Sequence, residues 1–357
     1  MRNIKQHKNN SSKTSEENLK ISFLFRPLYL VLTMTGLFPC SINFKKNRRS
    51  VKIIAKSTYI NALWAMCFIL IIMSFLVLHV QYVYYSFGDT SMTKEIMTQM
   101  NYIVELVNCA LFCLAAYYCA FRNRYIYVKI INQIGNMIEP TNMKIDNALR
   151  RFRFKVNVVI VGGLGMLLVL QICVNFTRDD SLWKTTLVTV SFVIPQMIQF
   201  ITISFYYVLI LMLVISLKSI RERVLGLNFE KSYIMEFVAK SEARILSLKH
   251  GESIYVKVFE LKKYINEAFQ APILISTLQC FHAIVSESHI IYHGVVVERS
   301  LSVHSIINCS LWIVYQLGKI YVLGSTGRLL QTEVKVYKSR NIILTIPFIT
   351  ITYHFSS

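Results

Sequence analysis

The sequence predicts an all-α membrane protein with seven transmembrane helices, and three observations lead to this fold class. Hydrophobic residues make up 54% of the chain and charged residues only 16%, with a mean hydropathy of +0.46. Soluble domains carry about 25% charged residues, so this composition is typical of a chain surrounded by lipid. The apolar residues form runs of the length that a bilayer requires, and the basic residues concentrate in alternate intervals between those runs.

The spans follow from the length of the apolar runs, because a helix needs about 20 apolar residues to cross the hydrocarbon core. Seven runs are candidates: 58–82, 102–121, 156–176, 185–216, 271–292, 302–325 and 341–355. The fourth contains Pro195 and is too long for one plain span but too short for two, so we expect a tilted or kinked helix. The seventh is short and contains Pro347, so we expect a truncated span.

An eighth apolar stretch, 21–44, precedes these spans and has basic residues on both sides. If it crossed the bilayer, one basic flank would have to be translocated, which is unfavourable. Arg26, Pro27 and Pro39 also interrupt it. We therefore predict a re-entrant segment, which enters the membrane and returns, within the N-terminal region.

The distribution of basic residues predicts the orientation of the chain. One set of intervals holds 34 Lys and Arg residues, and the alternate set holds four. The first set is 1–57, 122–155, 217–270 and 326–340, and the second set is 83–101, 177–184 and 293–301. By the positive-inside rule the N-terminus is cytoplasmic, and seven spans place the C-terminus outside. This orientation is opposite to that of receptors coupled to G proteins, whose Asp-Arg-Tyr and Asn-Pro-x-x-Tyr motifs we also do not find in the expected spans.

The spans and intervals divide the chain into four regions. Residues 1–57 form the cytoplasmic N-terminus with the membrane-dipping segment, and 58–216 contain the first four spans. Residues 217–270 are charged, with apolar residues at helical spacing, which predicts a cytoplasmic helical extension of the fourth and fifth spans. Residues 271–357 contain the last three spans.

Several function classes are disfavoured. The net charge of +20 would suggest nucleic-acid binding in a soluble chain, but here the basic residues lie in intervals between membrane spans. Cys109 and Cys113, and likewise His289 and His293, have metal-ligand spacing on a helix, but neither pair has a third ligand. We predict no metal site, no cofactor and no enzymatic activity. The eight cysteines lie in apolar stretches, which argues against a disulfide framework.

Polar residues inside the spans are the candidate functional residues, because polar groups in a bilayer must face the bundle interior or a wet cavity. His282, Ser286, His289 and His293 form one stripe on the fifth span. A second stripe on the sixth span consists of His304, Asn308, Trp312, Tyr315 and Lys319. We predict a ligand cavity open to the outside and lined by Glu105, Asn108, Gln171, Gln196, Gln199, His282, Ser286, His289, Asn308 and Trp312. The alternative is interhelical hydrogen bonding that only holds the bundle together.

One further candidate is a glycosylation sequon, Asn175-Phe176-Thr177, in the predicted external turn after the third span. It lies very close to the membrane, so the signal for modification at Asn175 is weak.

Several segments resemble the insect gustatory receptor family, within the insect chemoreceptor superfamily. Arg26-Pro27-Leu28-Tyr29-Leu30, followed by Gly36-Leu37-Phe38-Pro39, is similar to the opening segment of that family. The basic stretch Leu217 to Asn228 is similar to its Leu-Asn segment, and Tyr264-Ile265-Asn266 through Phe269 resembles its entry into the fifth helix. The resemblance covers nearly the whole chain, and its weight lies in the order of the motifs.

The resemblance implies a gustatory receptor in the plasma membrane of a sensory neuron: a subunit of a ligand-gated cation channel opened by a small-molecule tastant. It also implies a homo- or hetero-tetramer embedded in membrane lipid, with Thr352 and Tyr353 belonging to the helix that lines the pore. The Gln-Phe that ends the family pattern is missing here, and we therefore expect impaired conduction. An odorant receptor of the same superfamily and a secondary transporter are the alternatives.

Overall fold

The computed structural model describes residues 28–38, 40–46, 51–57, 59–85, 96–138, 146–175, 182–226, 237–297, 299 and 303–354. Helices dominate this part of the chain. The short helix α1 spans 28–34 and leads into two strands, β1 (Cys40–Lys46) and β2 (Val51–Ser57). The other helices are α2 (Tyr59–Tyr85), α3 (Ile96–Arg122), α4 (Arg124–Ile138), α5 (Asp146–Asn175), α6 (Leu182–Val188), α7 (Ile194–Gly226), α8 (Phe237–Tyr292) and α9 (Val303–His354).

The described residues of all seven predicted spans are helical. Five stretches in the described part are long and apolar enough to cross a membrane: Tyr59–Val83, Met100–Arg122, Leu182–Lys218, Ser253–Val297 and Ser305–Val336. The predicted third span corresponds to α5, where the apolar stretch Val156–Leu170 is shorter. The structure thus supports an all-α membrane protein, whereas the orientation in the bilayer stays a prediction.

The second half of α9 differs from the expected layout. We expected a connection over 326–340 between the sixth and seventh spans, but α9 continues without a break from Val303 to His354. The connection contains no proline and is rich in Arg, Leu, Gln, Glu and Lys, which are good helix formers, so the sixth helix simply extends. The seventh span falls in this continuation and stays a prediction.

The fourth span is continuous through a π-helical turn at Thr189–Val193, which joins α6 to α7. Pro195 lies two residues after this turn and has no backbone N–H to donate. The regular α-helical hydrogen-bond pattern is therefore interrupted there, which explains the wider π-helical turn. In the most apolar part of Leu182–Lys218, 89% of the residues are buried, against 22% for Tyr59–Val83. The fourth span is therefore the central helix of the bundle, and α2 is peripheral with an exposed apolar surface.

Strands β1 and β2 form an antiparallel hairpin that the sequence analysis did not predict. Cys40 lies opposite Ser57, and Phe44 lies opposite Ile53. Both strands contain β-branched or aromatic residues in near-alternation with polar ones, a pattern that favours strands but is weak over seven residues. The hairpin is a small addition to the otherwise all-α architecture. The expected re-entrant segment partly overlaps α1 and β1, while 21–27 lie outside the described residues, so its path through the membrane stays a prediction.

The segment between α1 and β1 packs against the bundle through a tight turn. Gly36 has a φ of +72°, and a Cβ added there would lie 2.8 Å from the Cα of Ala65 on α2. Trp64 Nε1 donates to the carbonyl oxygen of Met34 at 2.9 Å, and the Tyr117 hydroxyl donates to that of Thr35 at 2.5 Å. The glycine is therefore required by both its conformation and the close approach of α2.

Phe38 follows this turn and is fully buried in an aromatic cluster with Tyr127, Phe205 and Phe269. Their ring centroids lie 5.4 to 6.3 Å apart, in tilted or edge-to-face arrangements. Such contacts contribute about 0.5–1.5 kcal/mol per pair beyond area burial. The cluster joins the N-terminal segment to α4, α7 and α8.

The predicted extension over 217–270 lies partly in the end of α7 and partly in α8, which is 56 residues long and also contains the fifth span. Residues 227–236 lie outside the described residues. The assignment of this region to the cytoplasm stays a prediction.

Candidate functional site

A buried lysine lies at the centre of the bundle. Lys319 on α9 has only 1% of its surface exposed, although it belongs to an apolar span. Its Nζ donates to Gln199 Oε1 at 2.7 Å and to Gln196 Oε1 at 3.1 Å, both on α7. The ammonium also lies 4.8 Å from the centroid of the Tyr315 ring. Oriented amide oxygens and an aromatic face therefore replace part of the hydration that this charge loses.

The amide groups continue this network to two further helices. Gln199 Nε2 donates to Ser276 Oγ at 2.8 Å and to Gln279 Oε1 at 3.2 Å, both on α8. Gln279 Nε2 in turn donates to Cys109 Sγ on α3 at 3.0 Å. We call Cys109, Gln196, Gln199, Ser276, Gln279 and Lys319 the central polar cluster. It connects α3, α7, α8 and α9, and all six side chains are buried.

Next to this cluster, buried polar atoms lack hydrogen-bond partners. Glu105 lies one turn before Cys109 on α3, and its Oε1 has no partner within the described part of the chain. Gln316 on α9 is fully buried, and neither its Oε1 nor its Nε2 has a partner there. The hydroxyl of Tyr315 is likewise without a partner among the described residues. An unpaired buried polar group costs about 1–3 kcal/mol, so these groups mark a place suited to water or a polar ligand.

Aromatic rings border the same region. Trp312 stacks on Tyr315 with a centroid separation of 5.4 Å, and it contacts Phe192 at 5.5 Å. Phe192 belongs to the π-helical turn before α7 and also lies 6.5 Å from Tyr102 on α3. Trp312 lies beside the carboxyl of Glu105. We call the region bordered by Glu105, Trp312, Tyr315 and Gln316 the candidate ligand site, and it combines aromatic surface with unpaired polar atoms.

A second polar contact holds α2 to the π-helical turn. His79 is buried, and its Nδ1 is hydrogen-bonded to Ser191 Oγ. The hydroxyl of Tyr102 is 3.1 Å from His79 Nε2. The widened turn places Ser191 where it contacts α2, so the π-helical geometry has a structural consequence at this end of the bundle.

Comparison with known proteins identifies the family. A family model described as 7tm Chemosensory receptor matches residues 25–336, which is most of the chain. The chain belongs to the 7tm chemosensory receptor family. It is therefore a multi-pass membrane receptor and not an enzyme, as the sequence analysis predicted.

The fold of this chemosensory receptor is similar to that of the insect olfactory receptor OR5 from Machilis hrabei. The TM-score is 0.62, and the alignment covers 90% of this chain and 83% of that chain. Since the sequences are only 9% identical, the likeness concerns the fold alone. No curated protein matches the receptor at a significant level. These findings establish the chemosensory superfamily and leave taste and odorant specificity to be proposed.

The structure brings four of the predicted site residues together. Gln196 and Gln199 both bind Lys319, and Glu105 lies beside Trp312. Asn108, one turn along α3 from Glu105, is half-buried.

The histidine stripe begins on α8 at His282, one turn after Gln279 of the central polar cluster. Ser286 is buried, and His282 and His289 are half-buried with unpartnered Nδ1 atoms among the described residues. His289 stacks on His293 at a centroid distance of 5.8 Å. Asn308 on α9 is half-buried.

Four predicted residues are located by their backbone only. Gln171 and Asn175 lie in the last turns of α5, and Thr352 and Tyr353 lie near the end of α9. Their side chains fall outside what the structure describes, as do the sequon residues 176–177. Within the described residues there is no group of three or more His, Cys, Asp or Glu that could hold a metal ion.

Several residues that form the polar contacts were not predicted from the sequence as site residues. Lys319 was placed on the polar stripe of the sixth span but was not selected as a site residue, and Ser276, Gln279 and His79 were not considered. Gln279 and His79 each interrupt a long apolar run, which by itself indicates an inward-facing polar residue. Their partners follow only from the packing of the helices.

Proposed function

We propose that this receptor is a gustatory receptor: a subunit of a ligand-gated cation channel in the plasma membrane of a sensory neuron, opened by a small-molecule tastant. Membership in the chemosensory family supports the receptor role. The observation that carries the proposal is the unpaired buried polar atoms of Glu105 and Gln316 beside the aromatic face of Trp312. A small ligand with both polar and apolar parts would satisfy these atoms and cover the rings.

We place the ligand among α3, α7 and α9, with Glu105, Asn108, Gln196, Gln199 and Trp312 nearest to it. Because Lys319 already holds Gln196 and Gln199, a ligand group that competes for either amide would loosen the contact between α7 and α9. A ligand that binds more tightly to the loosened arrangement shifts the population toward it. His282, Ser286, His289, Asn308 and Gln171 are proposed as a second, outer group of ligand contacts.

Opening would be transmitted to a pore formed by four subunits, with Thr352 and Tyr353 of each in the pore-lining helix. This part of the proposal rests on the resemblance of the C-terminal Thr-Tyr to the gustatory pattern. The tetramer can contain one kind of subunit or several.

Two alternatives remain distinguishable by experiment. An odorant receptor of the same superfamily would respond to volatile compounds and not to sugars or bitter compounds. A secondary transporter would carry current only when a gradient of the ligand or of a coupled ion drives it. Currents that persist with equal ligand on both sides, and that follow the cation gradient, would support the channel.

The test is to express the receptor, alone and with candidate partner subunits, and to record currents evoked by a panel of sugars, bitter compounds and volatiles. Trp312→Leu should weaken the response by removing the aromatic face. Trp183→Leu is the matched control, because Trp183 is half-exposed at the start of α6. A response to volatiles alone would contradict the gustatory assignment. Equal effects of the two substitutions would contradict the location of the site.

A further inference from the structure

The candidate ligand site has a second carboxyl group at its border. Glu287 on α8 is half-buried, and its carboxyl lies beside Cys309 on α9. Cys309 precedes Trp312, the neighbour of Glu105, by about one helical turn. The carboxyls of Glu105 and Glu287 are close enough for their charges to interact. We call these two residues the carboxyl pair.

Lys319 compensates only part of the charge of the carboxyl pair. Its ammonium interacts with Glu105 but donates its hydrogen bonds to Gln199 and Gln196, at 2.7 and 3.1 Å. Cys309, the neighbour of Glu287, lies about 15 Å before Lys319 along α9. Two carboxylates and one ammonium leave this set of three groups with a net negative charge when all are ionised.

Unpaired polar atoms lie beside the carboxyl pair. Glu105 has only 7% of its surface exposed, and its Oε1 has no partner among the described residues. Gln316, about one turn after Trp312, is fully buried, and both of its amide atoms lack partners in the same part of the chain. An ionised carboxylate only accepts hydrogen bonds, so the group that completes Oε1 must be a donor. A positively charged donor would also relieve the repulsion within the pair.

The aromatic rings of the site suit the same kind of ligand. Trp312 and Tyr315 stack with their centroids 5.4 Å apart, and Phe192 lies 5.5 Å from Trp312. The faces of such rings attract alkylammonium groups and also cover apolar surface. A neutral ligand would use the rings but would leave the charge of the carboxyl pair uncompensated.

We propose that the candidate ligand site binds a protonated organic amine, with its ammonium between Glu105 and Glu287 and its apolar part against Trp312 and Tyr315. The inference rests on the proposed ligand-binding role of this site and names the chemical class of the ligand. The ammonium donates to Oε1 of Glu105, on the side of the site away from Lys319. The amide of Gln316 is left to pair with a further polar group of the ligand.

The test measures binding, so that its result does not depend on channel opening. The full-length receptor in neutral detergent is titrated by calorimetry with 2-phenylethylamine, which is protonated at neutral pH, and with 2-phenylethanol, its uncharged analogue of similar size. We expect the wild-type receptor to bind the amine at least about 10-fold more tightly, as for a hydrogen bond between charged groups.

Glu105→Gln and Glu287→Gln remove the charges and keep the shape of the side chains. We expect Glu105→Gln to weaken amine binding about 10- to 100-fold and Glu287→Gln about 3- to 10-fold, because Glu287 is only half-buried. Binding of 2-phenylethanol should stay within about twofold, which shows that the site is intact. The matched control is Glu267→Gln, because Glu267 is exposed on the same helix as Glu287, and it should change neither affinity.

Equal affinity of the wild-type receptor for the two probes, or no binding of 2-phenylethylamine at millimolar concentration, would overturn the proposal. An equal loss of amine affinity in Glu267→Gln would overturn it as well, because any surface carboxylate would then have the same effect. Selective amine binding without evoked currents would support the ligand class and contradict the channel role. Currents evoked by neutral compounds, with no preference for the amine, would support the channel role and contradict the ligand class.

Discussion

A lysine buried inside an apolar span is the most informative single residue of this receptor. Lys319 is surrounded by neutral partners, since Gln196 and Gln199 accept its hydrogen bonds and Tyr315 offers a ring face. Burying a charge is costly, so such a residue persists where its partners are fixed and where function benefits from it. It therefore links the stability of the bundle to the candidate ligand site.

At this residue we predict that Lys319→Met destabilises the receptor by about 1–3 kcal/mol, because two buried amide oxygens lose their donor. Thermal unfolding in detergent would measure the loss. Lys335→Met is the matched control on the same helix, because Lys335 is exposed, and it should change stability by less than about 0.5 kcal/mol.

Lys319→Met combined with Gln196→Leu should recover part of the stability, because one of the orphaned oxygens is then also removed and Gln196 otherwise makes only a long contact of 3.5 Å to Cys109 Sγ. If Lys319→Met melts at the wild-type temperature, the hydrogen bonds of Lys319 do not contribute net stability.

A second prediction at this scale concerns the outer group of proposed ligand contacts. His289→Ala and Asn308→Ala should each raise the half-maximal tastant concentration about 2- to 10-fold, which corresponds to one lost hydrogen bond. Concentration–response curves and surface labelling would be measured together. Ser288→Ala and Ser310→Ala are the controls, because these neighbouring side chains are exposed. Reduced surface delivery with unchanged ligand dependence would favour a purely structural role.

At the scale of single elements, the glycines of α5 show how one face of a helix is specified. Gly163 packs against α7, where an added Cβ would lie 1.9 Å from Cζ of Phe200. Gly162 and Gly165 face open space, where a Cβ would meet nothing within 4 Å. Of these three glycines, only Gly163 is therefore required for close helix packing.

We therefore predict that Gly163→Ala lowers the stability of the bundle by about 1–3 kcal/mol, the usual cost of overpacking. Gly162→Ala is the matched control and should be neutral or slightly stabilising, because alanine is a better helix former than glycine. Thermal unfolding of both variants in the same detergent would decide. Similar melting temperatures for the two would mean that α5 and α7 separate easily.

On the scale of the whole molecule, the asymmetry of basic residues is the strongest constraint on how the receptor sits in the membrane. With 34 Lys and Arg in one set of intervals and four in the other, translocating the first set would be very unfavourable.

The corresponding prediction is that an epitope tag placed before Met1 is accessible to antibody only after cells are permeabilised. A second tag inserted after Thr90, in a predicted external interval, should be stained on intact cells and serves as the control. Staining of the N-terminal tag on intact cells would contradict the predicted topology and the gustatory assignment with it.

The sequence by itself determined the membrane class, the location of five candidate spans and the membership in the chemosensory family, because apolar run length and motif order are properties of the chain alone. It also indicated that Glu105, Gln196, Gln199 and Trp312 face inward, since polar side chains avoid lipid.

Only the tertiary structure decided which of these residues meet. Lys319 pairs with Gln196 and Gln199, and Gln279 reaches Cys109, because the depth and rotation of each helix relative to its neighbours are set by packing. The hairpin and the unbroken course of α9 through 326–340 were equally undecided by the sequence, since strand pairing and the continuation of a helix past a span depend on what the segments pack against.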